Sequence, residues 1–576
     1  MTHQDNAPTL RQRFLAPNNH DQSDYFGLLR ELVARRNAYS AGTAEYAAWQ
    51  REIDGTYLLL HDEIATRQTQ PRTPVSFGTS GWRGTLGKDF FGRSVRQVTL
   101  AIVTMYQELA TSNDPAAGLG VASLAEARER GAVLGFDNRF DGEYFAQQAM
   151  AVLTSHGFRV CYAGEASTGV LSAAVLIKNA AFSINLTPSH NPLEYAGFKY
   201  NAADAGPAAS AITSRITALA RQIMAEGRDS SEPANSKLIA PLDALACWFT
   251  LLQRGESRHG LKYEAIIGGL RERDDNVLAV DCVHGASRVH IHRLLQGIPP
   301  ERLLILRDNA DPTFGGVAPE PSTANLAAIT TALRSRPEPL KLGAIIDPDA
   351  DRIRFTDGTT EIDMNKFGAM AYHFLHEHKG KRGLAAKTVA TSNFANAIAH
   401  ALGEEVFEPR VGFKEFKPVI DKALVCFEES DGISVAGHTP EKDAYIGLML
   451  ALDMLITRNQ NLGGYLARLQ AEYGAFYPGR GEVTVNQQGE ALTSTLSRLE
   501  RYGEGVRLRI GDQERTIRTV IAIDGRKMIL DDGSWLMIRP SGTEPKVRFY
   551  VEARSESEKA TLLAVAQRML AETGLL

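Results

Sequence analysis

Cysteine, net charge and long apolar runs are what this chain has least of. Its four cysteines, Cys161, Cys247, Cys282 and Cys426, are scattered over 576 residues with no CxxC pair. That pattern argues against a disulfide framework and a zinc ribbon, and it fits a reducing cytosol. Lys+Arg 63 against Asp+Glu 68 leaves a formal charge of -5, with no basic block to follow a nucleic-acid backbone. Nucleic acid is not an expected partner. The segment Met1 to Leu15 is polar and lacks the apolar core of a secretion signal, and the most hydrophobic later window, Ile446 to Ile456, is interrupted by Asp453. The expectation is a soluble, cytoplasmic protein with no membrane association.

What is present is length and a series of unusual loops. At roughly one domain per 100–200 residues, the chain is expected to form three to five domains. Residues 1–74 read as a helical extension: Tyr25, Leu28, Leu29, Leu32 and Val33 recur at i, i+3, i+4, i+7 spacing, and a second amphipathic stretch spans Tyr46 to Ile64. Such helices pack as a cap or a partner surface and suggest no chemistry. The glycine-rich loop Phe77-Gly78-Thr79-Ser80-Gly81-Trp82-Arg83-Gly84 follows. Its glycines let backbone amides approach an anion, and Arg83 can grip phosphate oxygens bidentately.

From Ala101 strands and helices alternate, which predicts α/β layering. The apolar run Ala181 to Leu186 leads into Thr187-Pro188-Ser189-His190-Asn191-Pro192, where two prolines forbid regular structure and leave a stiff loop presenting a serine. A serine hydroxyl needs a base, a cation or a metal to become a nucleophile, and Lys199 in Gly197-Phe198-Lys199-Tyr200-Asn201 follows closely enough to reach it. A second α/β unit is expected over residues 211–336. Its His284, His290 and His292 lack ligand partners at metal spacing and read as helix surface.

A third unit, residues 337–458, is expected to open with the strand Lys341 to Ile346. That strand runs into Asp347-Pro348-Asp349-Ala350-Asp351-Arg352. Three carboxylates at alternate positions repel one another unless a cation neutralises them, and all-oxygen ligands favour Mg²⁺ or Mn²⁺ over zinc. His373, His376 and His378 lie on a charged helix end and are expected to face solvent. Val411-Gly412-Phe413-Lys414 precedes Glu428-Glu429-Ser430-Asp431-Gly432, whose adjacent carboxylates and hydroxyl suit sugar hydroxyls. Glu441-Lys442-Asp443 starts an apolar helix. The remainder, residues 459–576, reads as a separate α+β domain carrying Arg539-Pro540-Ser541-Gly542-Thr543-Glu544-Pro545-Lys546-Val547-Arg548, a cradle able to satisfy a phosphate monoester.

A nucleophilic serine, a hard-cation loop, a polyol loop and a phosphate cradle, in that order, resemble the α-D-phosphohexomutase superfamily over residues 75–576, most nearly its bacterial-type phosphoglucomutases. The resemblance implies an α/β fold of four domains around a central cleft: a phosphoserine domain (75–210), a second α/β domain (211–336), a metal- and sugar-loop domain (337–458), and a C-terminal α+β phosphate-binding domain (459–576). It implies that Ser189 is the phosphorylated residue and that Asp347, Asp349 and Asp351 hold Mg²⁺ against its phosphate. Glu428 and Ser430 would contact the sugar, and Arg539, Ser541, Gly542 and Thr543 the phosphate that is not transferred. Arg83, Lys199, His190 and Lys442 match positions beside the reacting oxygens, and Ser80, Lys414, Arg352 and Arg548 complete the expected substrate contacts.

The implied reaction interconverts glucose 1-phosphate and glucose 6-phosphate through bound glucose 1,6-bisphosphate, with mannose or pentose phosphates as the alternative substrates. Lys199 and His190 are both candidates for the proton acceptor, Lys199 through a pKa depressed by neighbouring cations. A monomer or homodimer is expected, with a C-terminal domain that rotates to close. The chain departs from the family pattern at Pro348 and Ala350, where glycines are usual, at Asp431, where glycine or alanine is common, and at Pro409, near an expected threonine.

Overall fold

The computed structural model describes residues 6–78, 80–108, 119–487, 489–541 and 546–575. Four sheets organise them. The first has seven strands in the order Phe77–Gly78, Gly81–Thr85, Tyr195–Ala202, Phe182–Leu186, Ala132–Phe136, Val160–Glu165, Ile239–Pro241. Phe182–Leu186 is buried along its whole length, as an apolar strand covered by helices on both faces must be. It runs parallel to Ala132–Phe136 and antiparallel to Tyr195–Ala202, which sets Lys199 opposite Asn185.

The second sheet takes the order Glu361–Ile362, Ile353–Thr356, Leu340–Ile346, Asn276–Asp281, Leu303–Leu306. Leu340–Ile346 pairs in parallel with Asn276–Asp281 along six residues, so it closes the second unit instead of opening the third. The expected boundary at residue 337 therefore cuts through this sheet, and the aspartate loop belongs to the second unit. Hydrophobic periodicity locates a strand but says nothing about its neighbour.

A third, four-stranded sheet joins Val406–Phe407, Leu384–Lys387, Ala423–Glu428 and Gly432–Val435. The C-terminal sheet has six strands, every pair antiparallel, backed by the helix Glu556–Thr573. The first three units are welded by one continuous apolar core running from Val133 through Trp248, Leu278, Phe355 and Tyr445 to Phe476. The C-terminal domain has its own core and touches the third unit through a small cluster of Val389 and Ala390 with Trp535, Met537 and Tyr550.

The N-terminal helices Tyr25–Arg36 and Ala44–Thr66 are capped by Asp24 and Thr43. Their apolar faces enter the core of the first sheet, where Leu28, Leu32, Tyr57 and Leu60 share a cluster with Trp82 and Phe90. They also reach the second unit, through the ion pair of Arg36 with Asp311 at 3.2 Å and the Asn37 amide donating to Gly315 O. His373 and His376 are buried, against the solvent face expected of them. His373 Nδ1 meets the Tyr465 hydroxyl at 2.7 Å, a partner nearly a hundred residues away that local charge could not reveal.

Candidate active site

The serine loop is held from behind by groups that leave its hydroxyl forward. Thr187 donates its hydroxyl to Asp137 Oδ2 at 2.7 Å and accepts the Ser189 amide at 2.9 Å. The Arg139 guanidinium then donates to four carbonyls of the loop, those of Ser189 (2.8 Å), Asn191, Pro192 (2.8 Å) and Tyr195 (3.1 Å). Gly197 has no room for a side chain, because a Cβ there would lie 2.4 Å from Thr187 O. Ser189 sits at φ 60, a left-handed conformation costing a non-glycine residue on the order of 1–2 kcal/mol. The four carbonyl bonds offset that strain, and strain of this kind concentrates at functional sites. Ser189 Oγ donates to Asp347 Oδ2 at 3.0 Å and lies 3.4 Å from His190 Nδ1.

The acidic loop is pinned by all three units. Thr168 N donates to Asp349 O at 2.8 Å, Ala286 N to Pro348 O at 2.7 Å, and Ala444 N to Ala350 O at 3.0 Å. Thr168 and Ala444 are the first residues of their helices, so two helix N-termini hold backbone carbonyls of the loop. Ala350 takes φ 51, a left-handed conformation that glycine adopts more readily. Asp347, Asp349 and Asp351 are buried, with one oxygen from each lying within 4.8 Å of the others. Asp349 Oδ1 and Asp351 Oδ1 are buried without a hydrogen-bond donor, and Arg352 Nε stands 3.5 Å from the latter. Buried carboxylate oxygens left over in this way, gathered from hard ligands only, fit an Mg²⁺ or Mn²⁺ ion.

Lys199 Nζ donates to Asp349 Oδ2 at 2.5 Å and Asp351 Oδ2 at 2.9 Å. Burial alone would push its pKa down, but Asp349, Asp351 and Glu441 raise it above the usual lysine value. The expected depression is therefore reversed, since the neighbours that matter are anions. Against burial, Lys199, Lys442 and Arg352 hold the Asp351 carboxyl well below its ordinary value. Burial and the other two aspartates push Asp347 well above. His190 is driven well below the usual imidazole range by burial and by the Arg352 and Arg83 charges, so it stays neutral near pH 7.

The turn between Glu428 and Gly432 approaches from the third sheet. Lys442 Nζ lies 3.4 Å from both Asp351 Oδ2 and Glu428 Oε1, and its stem crosses Gly432, where a Cβ would lie 2.2 Å from Lys442 Cδ. Glu428 Oε1 also accepts the Ser430 hydroxyl at 2.7 Å, while its Oε2 is buried and unpaired. Glu429 turns away, its Oε2 accepting Thr388 at 2.8 Å and Thr391 at 3.3 Å. The two adjacent glutamates thus divide, one aimed at the site and one fastening the loop.

In the C-terminal domain, Arg539 Nε and Asp524 Oδ2 are 3.0 Å apart, and the same oxygen accepts Val411 N at 2.9 Å. The Arg539 charge is one of those that offset the burial-raised pKa of Glu429. Arg548 pairs with Glu482 at 3.6 Å, and Ser541 N donates to Lys546 O at 2.8 Å. Gly542 and Thr543 lie outside the described residues. Arg83 donates to Ser80 Oγ at 3.3 Å, and Lys414 to Ser210 Oγ at 2.8 Å on the rim of the first unit.

Direct contacts thus join Ser189, His190, the three aspartates, Lys199, Arg352, Lys442, Glu428 and Ser430. Sequence reasoning missed Arg139, Thr168 and Asp524. Asp137-Asn138-Arg139 does stand at a strand's C-terminal end, and that was the available signal. Thr168 Oγ1, which donates to Asp349 Oδ2 at 2.7 Å, and Asp524 sit in sequence contexts that carry none.

A serine, a buried triad of aspartates and a glutamate-serine turn meeting at strand ends suit a phosphoryl-transfer enzyme. The chain belongs to the phosphoglucomutase/phosphomannomutase family, within the α-D-phosphohexomutase superfamily. Its domain I matches residues 74–226, domain II 266–360, domain III 363–473 and the C-terminal domain 498–568. It is a mutase, an isomerase that moves a phosphoryl group within its substrate. The phosphoglucomutase/phosphomannomutase of Thermococcus kodakarensis is 25% identical, covering 86% of this chain and 98% of that protein. A Thermus thermophilus crystal structure described as a phosphomannomutase superposes with a TM-score of 0.69 at 25% identity, over 87% of this chain and 99% of its own. The Aspergillus fumigatus N-acetylphosphoglucosamine mutase, crystallised with GlcNAc-6P and magnesium, shares the fold at 15% identity and a TM-score of 0.52, over 89% and 98% of the two chains. Among the described residues no helix is long and apolar enough to cross a membrane.

Proposed function

We propose that the protein interconverts glucose 1-phosphate and glucose 6-phosphate, with phospho-Ser189 as donor and glucose 1,6-bisphosphate as the bound intermediate, in the cytoplasm. The observation that carries this reading is the position of Lys442, 3.4 Å from Asp351 and from Glu428. It brings a carboxylate suited to sugar hydroxyls within one side chain of the loop that Ser189 bonds.

In the first half-reaction the Oγ–P bond of phospho-Ser189 breaks while phosphorus bonds the free hydroxyl oxygen of the hexose monophosphate. The hydroxyl proton leaves to a side chain. In the second, the other phosphoryl group returns to Ser189 Oγ and the oxygen it leaves regains a proton. His190 and Lys199 are the candidates for that exchange: His190 Nδ1 lies 3.4 Å from Ser189 Oγ, and Lys199 Nζ donates to Asp349 and Asp351 beside it. Arg83, Arg352 and Lys442 steady the equatorial oxygens of the moving group. Asp347, Asp349 and Asp351, with Ser189, would hold Mg²⁺, and the chemistry it would supply when bound is charge neutralisation at the transferring group. Glu428 and Ser430 orient the hexose together with Ser80 and Lys414. Arg539, Ser541, Gly542, Thr543 and Arg548 hold the distal phosphate.

The glucose assignment is supported by Glu428-Glu429-Ser430, the form seen in phosphoglucomutases of the superfamily. Mannose 1-phosphate is the second reading, favoured by the kinship with a dual-named relative. Intact-mass and peptide-mass measurement after incubation with glucose 1,6-bisphosphate tests the reaction. One phosphate on Ser189, absent in Ser189→Ala, is the expected result, and an unmodified Ser189 in the wild type would overturn the reading.

A further inference from the structure

Asp431 closes the sugar loop in a conformation that an aspartate takes only at a cost. The loop joins Ala423–Glu428 to Gly432–Val435, with Glu428 opposite Gly432, and Asp431 stands at φ 70. Glycine is the residue for that left-handed position in a short hairpin. Here the side chain is put to use. Asp431 is 2% exposed. Its Oδ2 accepts Arg354 Nη2 at 2.6 Å, and its Oδ1 accepts Met364 N at 3.2 Å. Its own carbonyl accepts Ile353 N at 2.9 Å.

Arg354 is itself buried and donates its other terminal nitrogen to Glu361 Oε1 at 2.9 Å. Two residues earlier on the same segment, Arg352 bridges Gly432 through the backbone and stands 3.5 Å from Asp351. The turn that presents Glu428 and Ser430 is therefore fastened to the segment that leaves the aspartate loop.

We infer that Asp431 is a positioning residue for substrate selectivity: through Arg354 and Met364 it fixes Glu428 and Ser430 against the aspartate loop, so that one configuration of sugar hydroxyls is accepted over its epimer. This rests on the hexose-phosphate reading above and names what sets its sugar preference. Glu428 has one oxygen committed to Ser430 and the other buried and open. Telling an equatorial from an axial hydroxyl with a single open oxygen requires the loop to hold its place within about 0.5 Å. A loop freed from Arg354 can follow either epimer.

The test compares kcat/KM for glucose 1-phosphate and mannose 1-phosphate in wild type, Asp431→Gly and Asp431→Asn, with melting temperature and Ser189 phosphorylation measured alongside. Asp431→Gly relieves the left-handed backbone, so it is expected to fold. Its glucose-to-mannose ratio should fall about tenfold, chiefly through a higher KM for the preferred sugar, as loss of a buried charge-assisted hydrogen bond implies. Asp431→Asn keeps one acceptor and should fall between. Phosphorylation of Ser189 by glucose 1,6-bisphosphate should persist in both. A ratio unchanged within about twofold, a parallel loss of both substrates with a lowered melting temperature, or a wild type that does not distinguish the sugars would each overturn the inference. Failure of the wild type to phosphorylate Ser189 would instead remove the parent reading, and this inference with it.

Discussion

Ser189 Oγ bonds Asp347 Oδ2 at 3.0 Å across the seam between the first and second sheets. A hydroxyl and a carboxylate 158 positions apart meet because each ends a buried central strand, Phe182–Leu186 and Leu340–Ile346. In α/β units, loops at the C-terminal ends of strands are where ligands collect. Two such ends face each other here.

Metal removal should stop turnover without unfolding the protein. After dialysis against a chelator, activity should fall below detection and return with Mg²⁺, and calorimetric titration should show one Mg²⁺ site lost in Asp349→Asn. Undiminished Mg²⁺ binding by that variant would place the ion elsewhere.

Arg139→Lys should reduce kcat on the order of a hundredfold, because a misplacement near 1 Å at a nucleophile has that consequence. A lysine replaces the planar fork that gathers four carbonyls with a point donor. The KM for sugar phosphate should change little, since Arg139 touches the serine loop and not the sugar loop. A KM effect larger than the kcat effect would refute the role.

Asp524→Ala should raise the KM for hexose phosphate roughly tenfold while leaving Ser189 phosphorylated by glucose 1,6-bisphosphate. Asp524 pairs with Arg539 and ties its domain to Val411 N, so losing it frees Arg539 and loosens the contact between domains together. Solution scattering should show a more extended particle. Unchanged KM and scattering would contradict that dual role.

Lys527 makes the stability of the C-terminal contact depend on pH. It is 1% exposed, donates to Val389 O at 2.8 Å and lies 4.1 Å from the centre of the Trp535 ring. Burial and the Lys387 charge push its ammonium down to about 7, against Glu408 and Glu552. The unfolded chain, with lysine near 10.5, binds this proton more tightly than the native state. Stability should therefore be lowest below about pH 7, rise above it, and level off near 10.5. Between pH 7 and 9 the melting temperature should climb by roughly 2–4 °C more in wild type than in Lys527→Met. Equal slopes would exclude the effect.

Much of the site is legible in the chain. Prolines around Ser189, alternate aspartates at 347, 349 and 351, and the dense donors from Arg539 to Arg548 are local patterns whose chemistry follows from residue type. Other features are not. Lys199 is expected beside cations and stands between Asp349 and Asp351. Glu429 is expected to share the sugar and turns to Thr388 and Thr391. The aspartate loop is expected in the third unit and belongs to the second, because strand order is a matter of partners and not of pattern.

The amino-acid sequence alone determined which loops are stiff, acidic or rich in donors, since prolines, glycines and charges act on their immediate neighbours. Only the tertiary structure decided that Lys199 lies between Asp349 and Asp351, that Arg139 gathers the serine loop, and that Asp431 reaches Arg354. Each of those depends on a partner dozens to hundreds of residues away, and in a buried site the partner's charge outweighs the residue's own tendency.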